Sequence, residues 1–318
     1  MARYALVLES PHQLVVRERL DQVPLADGEA LVETLYVGLC GTDLEVIDGS
    51  SDRARPPVIL GHEWAGRVTA LGARTESRLV GAFVVGENLV GGREIGFELP
   101  GGFSSHFALP GRNLHRLPDF LHGPAACLVE PLAVSVHAVG AVGLQAGDSV
   151  LVLGDGVIGL LIARTAALTA KHVMLVGKHE DRLRIARKLG VERVGLSPDV
   201  NHAWSVVFEA SGRPTGLKVA FEAAAARARV VLVGDYGSAP VPTPATTVVR
   251  NELQVIGANA SAGAWEDAVR LASTKAVDLT VVSTLVLPFD QWREGLEAAR
   301  DHRALRVVLR HRAADISP

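Results

Sequence analysis

The chain has 318 residues, 48% of them hydrophobic, which is enough to fill two ordinary domain cores and excludes an intrinsically disordered protein. Its 32 basic and 35 acidic residues give a formal net charge of −3 with no long run of one sign, so a nucleic-acid-binding surface is excluded. Two cysteines, Cys40 and Cys127, are too few for a disulfide framework. We therefore expect a small molecule as the partner.

Secretion and membrane insertion are not expected either. The first nine residues lack a charged segment followed by an apolar core, so we expect a cytoplasmic protein. The most apolar stretch, residues 150–170, is interrupted by Asp155, Arg164 and several glycines, and it is therefore too broken to span a membrane.

Two successive patterns of secondary structure follow along the chain. The first has short β-type runs separated by Gly, Pro and Asp, at residues 4–8, 30–35 and 83–85, which is typical of a small β-barrel. The second alternates strands with Ala-rich helices, which is typical of a doubly wound parallel sheet. Its predicted strands are 149–153, 173–176, 206–209, 230–233 and 253–256, and its predicted helices are 157–170, 180–189, 216–224 and 264–273.

The chain closes with a predicted helix at 289–300 and a predicted strand at 305–309. We place the first domain at residues 1–125 and the sheet domain at 126–257. Residues 258–318 are then expected to return to the first domain.

A G-x-G-x-x-G motif directly follows the first strand of the second pattern and precedes an apolar helix. There the first glycine permits a tight turn, the second lets the backbone approach a pyrophosphate, and the third lets helix and strand pack closely. The helix N-terminus adds amides and a positive dipole end. An ordinary turn is the alternative. We predict dinucleotide binding at Gly154, Asp155, Gly156, Val157, Ile158 and Gly159.

The residues after the second strand of this sheet indicate which dinucleotide binds. An NAD enzyme normally places an acidic residue there for the ribose 2′-hydroxyl, whereas this chain has Gly177, Lys178 and His179. Lys178 and His179, with Arg182, can hold a 2′-phosphate, so the sequence favours NADP(H), with NAD(H) as the alternative cofactor. Lys178 and His179 can also be interpreted as an ordinary solvated loop.

Four residues have the chemistry of a catalytic zinc site. Cys40 lies on a Gly-flanked turn, His62 and Glu63 follow it, and Glu130 lies near the start of the second pattern. Catalytic zinc takes about three protein ligands and keeps an open position, which sulfur, nitrogen and oxygen donors can provide. Taken singly, each residue also has an ordinary interpretation as a buried thiol, a satisfied histidine or a helix-start carboxylate. Together with the glycine motif, they indicate a metal site.

Four motifs, in this combination and order, resemble those of the medium-chain dehydrogenase/reductase family. They are Cys-Gly-Thr-Asp at 40–43, Gly-His-Glu at 61–63 with Gly66, Glu-Pro-Leu-Ala at 130–133, and the glycine motif at 154–159. Within the family the chain is most similar to the polyol, threonine and sugar dehydrogenases, over nearly its whole length. The resemblance implies an α/β fold with a GroES-like β-barrel catalytic domain and a Rossmann doubly wound parallel sheet.

The resemblance also implies roles for single residues. Cys40, His62 and Glu130 would bind zinc, and Glu63 would bind it directly or through its water. Asp43 would orient His62. The hydroxyl of Thr42 would take the substrate proton. Glu45 stands where many relatives carry a histidine or another polar relay group, which leaves the last proton step open.

The activity that the resemblance implies is a zinc-dependent alcohol dehydrogenase that acts on a polar secondary alcohol or ketone, such as a polyol, sugar, cyclitol or amino alcohol. Residues 86–102, where relatives carry a four-cysteine lobe, contain no cysteine, so we expect one catalytic zinc and no structural zinc. We expect a homodimer that pairs through the strand at 253–256. The alternatives are a zinc-free NADPH quinone or enoyl reductase of the same superfamily and a non-enzymatic dinucleotide sensor.

Overall fold

The computed structural model describes residues 3–19, 23–198, 204–237, 240–261, 263–282 and 284–312. The chain divides into two compact units, the first formed by Met1–Glu130 with Ser283–Pro318 and the second by Pro131–Val282. Residues 258–282 therefore lie in the second unit, whereas we expected the return to the first domain at residue 258. One cause is Arg164, whose guanidinium donates two hydrogen bonds, at 2.6 and 2.9 Å, to the carbonyl of Ala276.

The strands and helices are numbered in chain order. The strands are β1 Arg3–Ser10, β2 Gln13–Arg19, β3 Glu29–Leu39, β4 Glu63–Leu71, β5 Phe83–Gly86, β6 Leu89–Val90, β7 Arg93–Glu94, β8 His106–Pro110, β9 Leu114–Arg116, β10 Ser149–Leu153, β11 His172–Val176, β12 Arg193–Gly195, β13 Trp204–Glu209, β14 Ala224–Leu232, β15 Gln254–Gly257, β16 Thr284–Pro288 and β17 Arg306–Arg310. The α-helices are α1 Gly41–Ile47, α2 Val129–Gly140, α3 Val157–Ala166, α4 Glu180–Lys188, α5 Pro214–Ala223, α6 Ala245–Arg250, α7 Trp265–Ser273 and α8 Trp292–Arg300. None of the described helices is long and apolar enough to cross a membrane.

The second unit contains a six-stranded parallel sheet in the order β12-β11-β10-β13-β14-β15. This is the 3-2-1-4-5-6 order of a Rossmann sheet, and it confirms the predicted doubly wound parallel fold. Each of the five predicted strands is present. The short strand β12 was not predicted, because its three residues show no apolar run.

The first unit contains a seven-stranded sheet in the order β16-β17-β3-β4-β5-β9, with β8 also paired to β3. The long strand β3 is buried along most of its length and pairs antiparallel with β4, β8 and β17. The hydrophobic core of the first unit includes Leu6, Phe103 and Leu109, all nearly inaccessible to solvent. Strand β17 therefore lies beside β3. The site described below lies at the end of β3.

A buried histidine holds the end of the chain in the first unit. His311 is 1% exposed, and its Nε2 lies 2.9 Å from the carbonyl oxygen of Gly102. The hydroxyl of Tyr4 lies 2.9 Å from Nδ1, so a neutral ring that donates from Nε2 and accepts at Nδ1 satisfies both contacts. Burial lowers the pKa of His311 to about 3. The imidazole is thus a neutral structural group at physiological pH.

We expect the free energy of unfolding to fall as the pH falls below about 6.5, in part because of His311. Its folded-state pKa of about 3 lies below the ordinary value of 6.5. Within that window the unfolded chain binds a proton that the folded chain does not, so stability is lost as the pH decreases. One such group contributes a slope of up to about 1.4 kcal/mol per pH unit.

Urea unfolding at several pH values between about 5 and 7 measures this slope. His311→Gln is expected to be less stable at neutral pH, because it loses the contacts to Tyr4 and Gly102, but to depend less steeply on pH. The exposed His172 provides the control, and His172→Gln should keep the wild-type slope. An equally steep slope in His311→Gln would show that this ring is not the group responsible.

Candidate metal centre and dinucleotide site

Three of the predicted metal ligands lie together where β3 ends and its paired strand β4 begins. Cys40 directly follows β3, His62 directly precedes β4, and Glu63 is the first residue of β4. In the antiparallel pair, Gly38 lies opposite Glu63, which brings the end of β3 beside the start of β4. One ligand atom from each of Cys40, His62 and Glu63 lies within 4.8 Å of the others.

Glu130, the fourth predicted ligand, lies outside this group of three. It is partly buried in the first turn of α2, and its Oε1 accepts a hydrogen bond of 3.3 Å from the side chain of Asn88. Burial raises the pKa of Glu130 to about 7, with Glu63 adding to the increase and His62 opposing it. Its carboxylate is therefore close enough to interact electrostatically with the other ligands while bonded to a different partner.

Asp43 is completely buried and lies on α1, where it supports both Cys40 and His62. Its Oδ2 accepts a hydrogen bond of 2.9 Å from the amide of Cys40, and its Oδ1 lies 3.5 Å from Nδ1 of His62. Burial lowers the pKa of His62, but the charge of Asp43 and the neighbouring Cys40 outweigh burial and raise it well above the ordinary value. This placement is the one required for Asp43 to orient the imidazole, with Nε2 left for a metal.

One unpartnered polar atom of this cluster fits a zinc ion. Oε2 of Glu63 is buried and has no hydrogen-bond partner within the described part of the chain. A Cβ atom at Gly38 would lie 2.4 Å from Oε2 of Glu63, so the glycine makes room for the carboxylate. A thiol, an imidazole and a carboxylate at this separation form a donor set that zinc uses.

The two predicted relay residues lie further along α1. Thr42 is partly buried, and its Oγ1 lies 3.8 Å from Sγ of Cys40. Glu45 is exposed, one helical turn away from Gly41 at the helix start. The structure therefore places the Thr42 hydroxyl beside the metal ligands and Glu45 at the surface of the helix.

The glycine motif forms an open cradle in the second unit, between β10 and α3. Gly154 has φ of +119°, and a Cβ there would lie 2.9 Å from the backbone of Ala210. A Cβ at Gly159 would lie 1.9 Å from the carbonyl oxygen of Gly154. Among the described residues, a Cβ at Gly156 would meet nothing within 4 Å, and none of their side chains caps the helix that begins at Val157. Free first-turn amides beside open space fit a pyrophosphate.

Asp155, in the middle of the motif, points its side chain to the segment that follows β11. Its Oδ2 accepts hydrogen bonds from the amides of Lys178 and His179, each 2.7 Å, and lies 3.0 Å from Nδ1 of His179. Its Oδ1 lies 3.7 Å from a guanidinium nitrogen of Arg182. The side chains of His179 and Arg182, two of the three basic residues predicted from the sequence, therefore lie beside a carboxylate of the glycine motif, and Lys178 contacts it through its backbone amide.

Comparison with known proteins decides the family. A family model described as an alcohol dehydrogenase GroES-like domain matches residues 26–119, and one described as a zinc-binding dehydrogenase matches residues 156–274. The 2-dehydro-3-deoxy-L-galactonate 5-dehydrogenase of Pseudoalteromonas atlantica is 31% identical over 291 residues, which cover 82% of this chain and 85% of that protein. The chain belongs to the zinc-dependent, alcohol dehydrogenase-like branch of the medium-chain dehydrogenase/reductase family.

Two further relatives of this family support the assignment over the full length of the chain. The D-arabitol-phosphate dehydrogenase of Enterococcus avium is 26% identical over 316 residues, covering 89% of this chain and 90% of that protein. A zinc-binding dehydrogenase structure from Sinorhizobium meliloti, solved with NADP, superposes with a TM-score of 0.88 at 25% identity and covers 98% of this chain and 99% of that one. The predicted GroES-like and Rossmann domains are confirmed, and the chain is an alcohol dehydrogenase-type oxidoreductase with a nicotinamide cofactor.

Arg306 belongs to the candidate metal centre but was not predicted from the sequence. It is 9% exposed, and one guanidinium nitrogen lies 3.0 Å from Oε1 of Glu63, which is 1% exposed. The other donates a hydrogen bond of 2.9 Å to the carbonyl of Leu39. Burial lowers the pKa of Arg306, but Glu63, Cys40 and Glu130 outweigh burial and raise it. The only signal in the sequence is one arginine among the apolar residues of the predicted strand at 305–309.

The segment where other family members carry a four-cysteine lobe is here a small hairpin. Strands β6 and β7 pair antiparallel, and Glu94 in β7 forms an ion pair of 3.1 Å with Arg53. The Arg53 guanidinium lies 4.7 Å from the ring centroid of Phe97, which in turn lies 5.0 Å from that of His62. An arginine-carboxylate pair and an aromatic ring therefore connect this segment to the metal ligands.

Proposed function

We propose that this dehydrogenase interconverts a polar secondary alcohol and the matching ketone, with one zinc ion at Cys40, His62 and Glu63. The observation that carries the proposal is the meeting of one thiol, one imidazole and one carboxylate within 4.8 Å, where the carboxylate of Glu63 has a buried, unpartnered oxygen within the described residues. When bound, zinc would supply Lewis-acid polarisation of the substrate oxygen and the dinucleotide would carry the hydride.

The residues of the chain provide the remaining functions. Cys40 and His62 hold the ion, and Asp43 keeps His62 in position through the 3.5 Å contact. Arg306 balances the buried charge of Glu63, which lets the carboxylate lie beside the metal position without a second cation. We propose that Glu130 completes the ligand set by exchanging Asn88 for the metal, and that the Thr42 hydroxyl moves the substrate proton.

The proposed substrate class is a polyol, sugar, cyclitol or amino alcohol. Two relatives are named for D-arabitol phosphate and 2-dehydro-3-deoxy-L-galactonate, both of which carry several hydroxyl groups and an anionic group. Arg53 lies near Phe97, which contacts His62, and it would provide a cation for such a group by exchanging its ion pair with Glu94. A substrate screen should therefore pair each neutral polyol with its phosphorylated or carboxylated counterpart.

The function is tested by metal analysis of the purified protein together with turnover on this panel. We expect about one zinc per chain, and loss of both zinc and turnover after chelation, restored when zinc is added back. Turnover that survives complete loss of zinc would point instead to a zinc-free reductase. Dinucleotide binding without turnover of any alcohol or ketone would point to a sensor.

We also propose that the protein is a homodimer paired through β15. This strand lies at one edge of the parallel sheet, and Val255 in it is 42% exposed. An exposed strand edge with apolar side chains is suited to pairing with a second copy. Light scattering should give twice the chain mass of 33.6 kDa, and a mass of 33.6 kDa at assay concentration would refute the dimer.

A further inference from the structure

The side chain of Asp155 occupies the position at which Rossmann enzymes that use NAD place an acidic residue. That position is the residue after the second strand of the sheet, here Gly177 after β11. A Cβ atom built on Gly177 would lie 2.4 Å from Cβ of Asp155 and 2.5 Å from its Oδ2. The carboxylate of Asp155 therefore fills the space that a side chain at residue 177 would enter.

This carboxylate is firmly held and charged. Asp155 is 7% exposed, and Oδ2 accepts the amides of Lys178 and His179 at 2.7 Å each. Burial would raise the pKa of Asp155, but the hydrogen bonds from His179 and Lys178 outweigh burial, and the pKa lies below its ordinary value. A fixed carboxylate is thus present at this edge of the sheet even though residue 177 is a glycine.

The basic residues around this carboxylate are already engaged by it. The His179 ring lies 3.0 Å from Oδ2, and Arg182 lies 3.7 Å from Oδ1. A 2′-phosphate would have to compete with Asp155 for these cations. It would also place roughly two more negative charges beside the carboxylate. A ribose 2′-hydroxyl meets no such repulsion. Oδ1 accepts no hydrogen bond from the described residues and is therefore able to accept one from a hydroxyl.

We infer that Asp155 sets the dinucleotide preference of this chain, by accepting the adenosine ribose 2′-hydroxyl of NAD(H) and repelling the 2′-phosphate of NADP(H). The inference rests on the proposed function, because it assumes that the glycine motif binds a nicotinamide dinucleotide. It reverses the NADP(H) preference expected from Lys178, His179 and Arg182. The reason is that the sequence alone does not show the pairing of Asp155 with His179 and Arg182.

Direct binding separates this role from a merely structural one. Titrating NADH and NADPH into the wild-type protein, followed by nicotinamide fluorescence, is expected to give a Kd for NADH at least about tenfold lower. Asp155→Asn keeps an oxygen that can accept the Lys178 and His179 amides but removes the charge. We expect it to weaken NADH binding, to strengthen NADPH binding and to shift the ratio of the two Kd values by about tenfold or more towards NADPH.

Asp181→Asn is the matched control, because Asp181 is an exposed acid in the first turn of α4, and the same charge change there should leave the ratio near its wild-type value. Equal weakening of both dinucleotides in Asp155→Asn would mean that Asp155 only shapes the loop, and it would overturn the inference. Tighter binding of NADPH than of NADH by the wild type would overturn it as well. Binding of neither dinucleotide would instead refute the proposed function, and the inference with it.

Discussion

Replacing Cys40 by alanine is expected to abolish zinc binding and to lower kcat/KM by roughly 10³-fold or more. The thiol is one of three donor groups that meet within 4.8 Å, and without it only His62 and Glu63 remain in that group, while Glu130 is hydrogen-bonded to Asn88. Two preformed donors are too few to hold a catalytic ion. The loss in rate follows because Lewis-acid polarisation contributes several kcal/mol of transition-state stabilisation. Metal analysis and steady-state kinetics on the same preparation measure both effects.

Cys127 provides a control of the same residue type. It is completely buried, and burial raises the pKa of its thiol, so it is not a favoured metal ligand. Cys127→Ala should retain about one zinc per chain, with only a modest loss of stability. Full zinc content in Cys40→Ala, or loss of zinc in Cys127→Ala alone, would show that the metal lies elsewhere.

Replacing Arg306 by methionine is expected to lower the free energy of unfolding by about 3–5 kcal/mol, because it leaves the buried carboxylate of Glu63 without its cation. The two groups are 3.0 Å apart, and Glu63 is 1% exposed. Urea unfolding of the chelated protein measures this effect without compensation from the metal. Arg306→Lys keeps the charge but loses the planar pair of donors that reach Glu63 and Leu39, so it should be intermediate.

A double variant tests whether the lost ion pair is the cause. Arg306→Met combined with Glu63→Gln removes both charges and should recover a large part of the stability lost by the single change. If the two changes are simply additive, Arg306 stabilises the protein through packing and its bond to Leu39 rather than through Glu63.

Much of the fold could be predicted because its elements carry local signals. The strand at β10 is an unbroken apolar run that ends in a glycine motif, and such a run has few alternatives to a strand and turn before a helix. The boundary at residue 258 was placed too early, because it depends on the Arg164 bond to Ala276, a contact between residues far apart in sequence. Strand β12 was missed because its three residues include a single apolar side chain, Val194, and the strand forms by pairing with its neighbour β11.

The candidate site also contains some residues that the sequence could predict and others that it could not. Cys40, His62 and Glu63 lie next to each other in space because they flank the pairing of β3 with β4, and their residue types, together with the glycine motif, indicated a metal. Arg306 and the contact between Asp155 and Gly177 carry no comparable pattern. The position of Arg306 depends on the pairing of β17 with β3. The contact between Asp155 and Gly177 depends on the direction of the Asp155 side chain, which reaches the end of the neighbouring strand β11.

The position of β17 beside β3 has a consequence for biosynthesis. On the ribosome, the Cys40, His62 and Glu63 segment emerges early, whereas Arg306 emerges only after the whole of the second unit has been made. During that interval Glu63 has no arginine partner, and the sheet of the first unit lacks two of its strands. The first unit of the nascent chain therefore stays incomplete during this interval. The second unit is contiguous in sequence and is able to fold first.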